Sequence, residues 1–194
     1  MGCDKVSTDQ LYEEFKTKAE AVSAEVNRFK KAEEAFKFIQ DFIEDYAREE
    51  GEEIKTVWSS TPCLGEYREK LKEKPNIFME KEIPVHAESS SIGVSEMDVA
   101  IAETGTLAQD ATDILKRLVS SLTFIHIAIV PTKNLIKDTT VYLDKLHENP
   151  PGFAAFITGP SRTADIERVL TIGVHGPERL IIVFVDETGG EKNG

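Results

Sequence analysis

Apolar positions recur at helical steps through the first quarter of the chain. Leu11, Phe15, Ala19 and Val22 fall between Glu and Lys residues and predict a helix over Thr8 to Ala21. The alternation then shortens over Ala24 to Phe29, which suits a short strand. Ala35, Phe36, Ile39, Phe42, Ile43 and Tyr46 share one face at steps of three and four, predicting a second helix over Ala32 to Arg48. Ile54 to Trp58 is a strand candidate. Leu64 to Glu73 is a short charged helix stopped near Pro75, and its mixed-sign run Glu66-Tyr67-Arg68-Glu69-Lys70 marks a solvated face.

From Val99 onward the pattern changes. Val99 to Ala102, Phe124 to Val130, Phe153 to Thr158 and Leu180 to Val185 are apolar on successive residues, the mark of strands buried on both faces. Helical stripes separate them: Leu135, Thr139, Tyr142, Leu143 and Leu146 over Asn134 to His147, then Ile166, Val169 and Leu170 over Thr163 to Leu170. Strands alternating with helices predict an α/β fold, an open and mostly parallel sheet flanked by helices, with a helical lead-in at the N-terminal side.

Composition narrows this picture. With 194 residues, 40% of them hydrophobic, the chain can build one well-covered core but hardly two. The expected organisation is a helical extension over residues 1–20, an α/β domain over 21–186 and a disordered tail over 187–194. Thirty-five acidic and 23 basic side chains give a net charge of -12, a field that repels nucleic acid and anionic lipid alike. No apolar run reaches the roughly 18 residues of a membrane span, and no hydrophobic signal region follows Met1. Gly2 lacks the Ser or Thr that a myristoylation site needs at position 6, where Val6 stands. The expectation is a cytoplasmic chain without membrane insertion.

Two cysteines, Cys3 and Cys63, are too few for a four-cysteine iron–sulfur cluster, so a redox centre would belong to a partner. His86, His126, His147 and His175 form no spaced ligand pair, and no metal site is expected. There is no glycine-rich dinucleotide or phosphate fingerprint either.

Three stretches carry candidate chemistry. In "AIAETGTL", Glu103 follows a buried strand and precedes Thr104, Gly105 and Thr106, small residues that admit a ligand or another backbone, or simply turn between two strands. In "ITGPSRTADIE", Gly159 and Pro160 turn the chain off a strand, and Ser161 or Thr163 is placed to cap a helix beginning there. Arg162 could add a bidentate donor for an anion, while Asp165 and Glu167 compete for the same helix terminus. In "GVHGPERL", His175 and Gly176 precede the last strand, where an imidazole can pass a proton near neutral pH or cap a turn. His126, inside an apolar run, reads as a core histidine bonded to backbone.

Taken with "HIAIVP" (His126 to Pro131), these stretches resemble the signature of the LUD, or lactate-utilisation, domain family, in its LutC-type form. The resemblance covers about the second half of the chain. It implies the superfamily of sugar-phosphate isomerases and coenzyme A transferases, with a site at the strand ends. It also implies a component of an iron–sulfur L-lactate oxidation system that carries no cofactor itself and works with cysteine-rich iron–sulfur partner proteins. Two departures, Ser121 to Phe124 before the "HI" strand and the polar "LAQDATD" after Thr106, bear on the loop over the site.

The expectation is therefore one cleft at the carboxyl edge of the sheet. Glu103 and His175 handle a hydroxyl proton there, Arg162 binds the carboxylate or phosphate of a small ligand, and Thr104, Gly105, Thr106, Gly159, Ser161, Asp165 and Gly176 shape the cleft. Two alternatives stand beside it: an independent enzyme or binder of a sugar phosphate or thioester, and a docking subunit whose motif residues only hold the fold.

Overall fold

The computed structural model describes residues 6–51, 53–164, 170–172 and 176–188. The chain opens with α1 (Thr8–Ala21), β1 (Glu25–Lys31), α2 (Ala32–Glu50) and β2 (Thr56–Trp58). A 3-10 turn (Pro62–Tyr67) leads through α3 (Arg68–Lys72), β3 (Ile77–Met79), the single turn α4 (Ile83–His86) and β4 (Ile92–Glu96). Next come β5 (Val99–Ile101), β6 (Thr106–Asp110), α5 (Ile114–Leu122), β7 (Ile125–Pro131), β8 (Leu135–Ile136) and α6 (Thr139–Glu148). The last elements are β9 (Ala154–Ile157), β10 (Arg162–Ala164), β11 (Leu170–Ile172) and β12 (Arg179–Glu187).

Six strands form an all-parallel sheet in the order β1-β12-β7-β4-β2-β3. Residue parity explains why β12 is apolar on successive residues from Leu180 to Val185. Ile181, Val183 and Val185 of β12 face α2, where Phe36 and Ile39 meet Trp58 and Ile127. Leu180, Ile182 and Phe184 face the other way, against Tyr12 and Phe15 of α1 and Leu107 of β6. Phe184 receives the edges of Tyr12 and Phe15 at ring distances of 5.4 and 5.1 Å, pairs that add about 1 kcal/mol each beyond area burial. Farther along that face, Val57 packs with Ile83, Ala87 and Val119 under α4 and α5.

Local chemistry sets the helix ends. Ser7 accepts from the Gln10 amide while Gln10 Oε1 accepts from the Ser7 amide, a capping box that starts α1. Its far end closes as a Schellman motif: the Ala24 amide donates to the Ala19 carbonyl at 3.0 Å and the Ser23 amide to the Glu20 carbonyl at 2.9 Å. Ser23 takes the left-handed position of that motif with φ 71°, where glycine is the usual residue. Asp113 and Asp138 cap α5 and α6 through their carboxylates.

Two expectations need correction. The strands at Val99 and Ala154 lie outside the parallel sheet, in a second sheet ordered β8-β5-β6-β9 whose β5–β6 and β6–β9 pairs are antiparallel. The helix expected over Thr163 to Leu170 is replaced at both ends by strand, since Arg162 to Ala164 pairs antiparallel with Leu170 to Ile172. Thr163, Thr171 and Ile172 are β-branched, which suits a strand, and residues 165–169 of the expected helix lie outside the described residues.

Candidate functional site

Glu103, Thr104 and Gly105 form the turn between β5 and β6, closed by the Gly105 amide donating to the Ile101 carbonyl at 3.0 Å. Glu103 and Thr104 are exposed. The Glu103 amide donates to Lys137 O at 3.0 Å, and its carboxylate lies 3.5 Å from the Thr139 amide in the first turn of α6. A carboxylate there complements the partial positive charge of the helix terminus. Thr106 is buried, and its hydroxyl shares a 2.8 Å hydrogen bond with that of Thr158 just beyond β9.

The glycines meet α1. Gly105 has φ 65°, and a β-carbon on it would stand 2.5 Å from the Ala19 nitrogen and 2.8 Å from the Lys18 carbonyl carbon. Gly159 has φ 77°, and its β-carbon would stand 2.8 Å from the Val22 carbonyl oxygen. These contacts are three residues apart on the helix, about 4.5 Å along its axis. The "AETGT" and "TGPSR" loops thus bracket the last turn of α1, and the close approach that glycine permits here is toward another backbone.

Arg162 is exposed and donates through its guanidinium to the hydroxyl of Ser23. The Ser161 amide donates to Pro177 O at 2.8 Å, and a β-carbon on Gly176 would lie 3.2 Å from Ser161 Cβ. Ser23 precedes β1 and Pro177 precedes β12, so this cluster lies at the amino ends of the parallel strands. That corrects the expected position at the carboxyl edge. The carboxyl-end rule holds for strands of the open parallel sheet, whereas the motif loops leave β5 and β9, which belong to the second sheet. The helix cap expected of Ser161 or Thr163 is replaced by the start of β10. Among the described residues no ion pair joins Glu103 to Arg162, and Asp165 and His175 lie outside the described residues.

Among the described residues, none of these motif residues lies at the carboxyl edge itself. The loop after β2 is pinned by Trp58 Nε1 donating to Thr61 Oγ1 at 2.9 Å and by the Cys63 amide donating to the Glu96 carboxylate at 2.8 Å. It encloses a hollow of about 90 Å³ lined by Ser59, Ser60, Thr61, Pro62 and Arg68. Burial and the neighbouring Glu96 carboxylate push the Cys63 thiol pKa up. Sequence reasoning missed Glu96 and this loop, and no residue spacing signals them.

His126 lies fully inside the sheet, but its partner is not the backbone that the sequence suggested. Its Nε2 shares a 2.8 Å hydrogen bond with Ser95 Oγ on β4, and burial brings its pKa down to about 4. Its Nδ1 is buried without a partner among the described residues. Among the described residues no group of three or more His, Cys, Asp and Glu comes together as a metal site, and no helix is long and apolar enough to cross a membrane.

Comparison with known proteins gives this geometry a context. The LUD domain family matches residues 12–185. The chain is 35% identical over 112 residues to lactate utilization protein C of Oceanobacillus iheyensis, covering 55% of this chain and 48% of that protein. It is 34% identical over 107 residues to the protein of the same name from Bacillus subtilis, covering 52% and 45%. The matched part of this chain thus spans about half the length of these curated relatives. A crystal structure of a DUF162 family protein from Deinococcus radiodurans superposes with a TM-score of 0.61 at 16% identity, over 93% of this chain and 99% of that one, and shares the fold.

Proposed function

The chain belongs to the LUD domain family, and from that premise we propose that it is a LutC-type component of a cytoplasmic system oxidising L-lactate to pyruvate. The observation that carries this reading is the family match together with relatives named for lactate utilization. Oxidation of a 2-hydroxy acid to a 2-oxo acid releases two electrons and two protons. Two cysteines cannot ligate a four-cysteine cluster, which supports assigning the electron-accepting iron–sulfur clusters to cysteine-rich partner proteins.

In this reading the small acid binds beside the last turn of α1. Arg162, exposed and held by Ser23, takes its carboxylate in the paired geometry that a guanidinium offers. Glu103 and His175 receive the hydroxyl proton, the proton and two electrons of the carbon–hydrogen bond pass to the partner proteins, and Thr104, Ser161, Asp165 and Gly176 line the approach. The docking alternative draws support from one observation, that Gly105 and Gly159 use their freedom to seat α1.

Thermal unfolding of the purified chain against L-lactate, pyruvate, a sugar phosphate and coenzyme A separates the readings, repeated with Arg162→Ala. A ligand at about 100 times its dissociation constant adds roughly 2.7 kcal/mol. Stabilisation by L-lactate or pyruvate that disappears in Arg162→Ala is the expected result. A response to sugar phosphate or coenzyme A alone would replace lactate by the independent enzyme. Silence toward all four, with co-purification of iron–sulfur proteins, would favour docking; silence with no such partner would overturn the proposal.

A further inference from the structure

A groove of about 260 Å³ opens on the α2 face of the sheet, between the C-terminal half of α2 and the first residues of β2 and β3. It is far from the motif loops in the fold: those pack against α1 on the opposite face. Its walls are mostly apolar, from Ile43 and Ala47 of α2, Ile54 before β2, and Pro75 and Ile77 at β3.

Gln40 and Asn76 also reach the lining, and Thr56 is its one fully buried polar residue. Thr56 is 1% exposed, and its Oγ1 has no hydrogen-bond partner among the described residues. Side chains alternate along β2, so Thr56 shares the face of Trp58, whose ring packs under α2 near Phe36. The Thr56 hydroxyl is therefore directed to the groove side of the sheet, while its backbone amide is already bonded to Asn76 O at 2.9 Å. A buried hydroxyl without a protein partner is unfavourable, and a ligand group that meets it supplies the missing hydrogen bond.

We propose that this groove is a binding site for a neutral, mainly apolar small molecule with a single hydrogen-bonding group, which Thr56 recognises. Size and charge both select that class. The groove exceeds the roughly 150 Å³ that holds benzene in an apolar cavity, so about nine or ten heavy atoms fit. Its rim carries Glu44 and Glu53, and Lys74 is held by Glu44 at 3.2 Å, so the local charge disfavours an anion. The occupant thus differs in chemistry from the carboxylic acid proposed at Arg162, and the inference stands independently of the lactate reading.

Indole and indene test it, because they share a shape and differ in one N–H donor. Each is titrated into the isotopically labelled chain while amide resonances are followed by NMR. Saturable shifts centred on Ala47, Thr56 and Ile77 are expected with both. Thr56→Val should weaken indole about fivefold, the equivalent of one net hydrogen bond, and leave indene unchanged. Ala47→Phe, which fills the groove from the helix side, should abolish the shifts for both and serves equally if Thr56→Val does not fold. No saturable shift at these residues, shifts that survive Ala47→Phe, or equal effects of Thr56→Val on the two compounds would each overturn the proposal.

Discussion

Gly105 lies against the backbone of Ala19 so closely that a β-carbon would stand 2.5 Å from the Ala19 nitrogen. Sequence places these residues 86 positions apart, yet their contact fixes where the second sheet meets α1. Neither side can yield easily, because Ala19 O also accepts the Schellman hydrogen bond from Ala24.

Gly105→Ala should therefore lower stability by about 3 kcal/mol, combining left-handed strain with a backbone clash. Gly159→Ala should behave similarly. Gly51 is the control: it has φ 68° but nothing within 4 Å of its absent β-carbon, so Gly51→Ala should lose only about 1 kcal/mol. Urea denaturation of the three variants measures the contrast, and equal losses would contradict the packing role.

Ser23 carries the left-handed strain in α1's terminal motif. Ser23→Gly removes it and should leave stability unchanged or raised by up to about 1 kcal/mol, whereas Ser23→Val should lose about 1–2 kcal/mol because a β-branched residue fits that conformation poorly. Tolerance of valine in thermal melts would contradict the assigned conformation.

His126 makes stability depend on pH. Burial holds its folded-state pKa near 4, below the ordinary 6.5, so the unfolded chain binds the proton first. Stability should fall as pH drops from about 6.5 toward 4, by roughly 3 kcal/mol in total from this group. His126→Gln should lose this part of the slope between pH 7 and 4.5 in urea titrations. An unchanged slope would remove His126 as its source.

Cys63 is buried and its thiol pKa is raised, so little reactive thiolate is present at neutral pH. In a Cys3→Ser variant, a thiol reagent such as DTNB should label Cys63 only as fast as the chain opens. Rapid labelling under native conditions would show the loop after β2 to be open.

The elements legible in sequence were those whose burial follows a clean period. Ile127 to Val130 of β7 and Leu180 to Val185 of β12 are apolar on successive residues because helices or strands cover both faces, and α2 shows one unbroken stripe. β4 was missed although it is central. Its inward positions Gly93 and Ser95 look like a loop, but Gly93 admits Thr123, whose hydroxyl would stand 2.6 Å from a β-carbon there, and Ser95 serves His126. α5 was missed because only nine residues, Ile114 to Leu122, carry its stripe. The motif residues themselves were readable as special, while their position was not. "AETGT" is readable as a turn between two strands but gives no hint that they belong to a separate sheet, and nothing near Ser23 announces that it will hold Arg162.

The pairing of β1 with β12 has a consequence for the growing chain. Glu25 aligns with Ile181, and β12 alone joins β1 to β7 in the sheet. At 5–20 residues per second, β1 waits roughly 8–30 seconds on the ribosome before its neighbour exists. During that time α1 and the inner face of α2 have no completed sheet to cover. A nascent chain stalled before residue 179 should be a client for chaperones that hold apolar surface, and release should coincide with synthesis of the strand between Arg179 and Glu187.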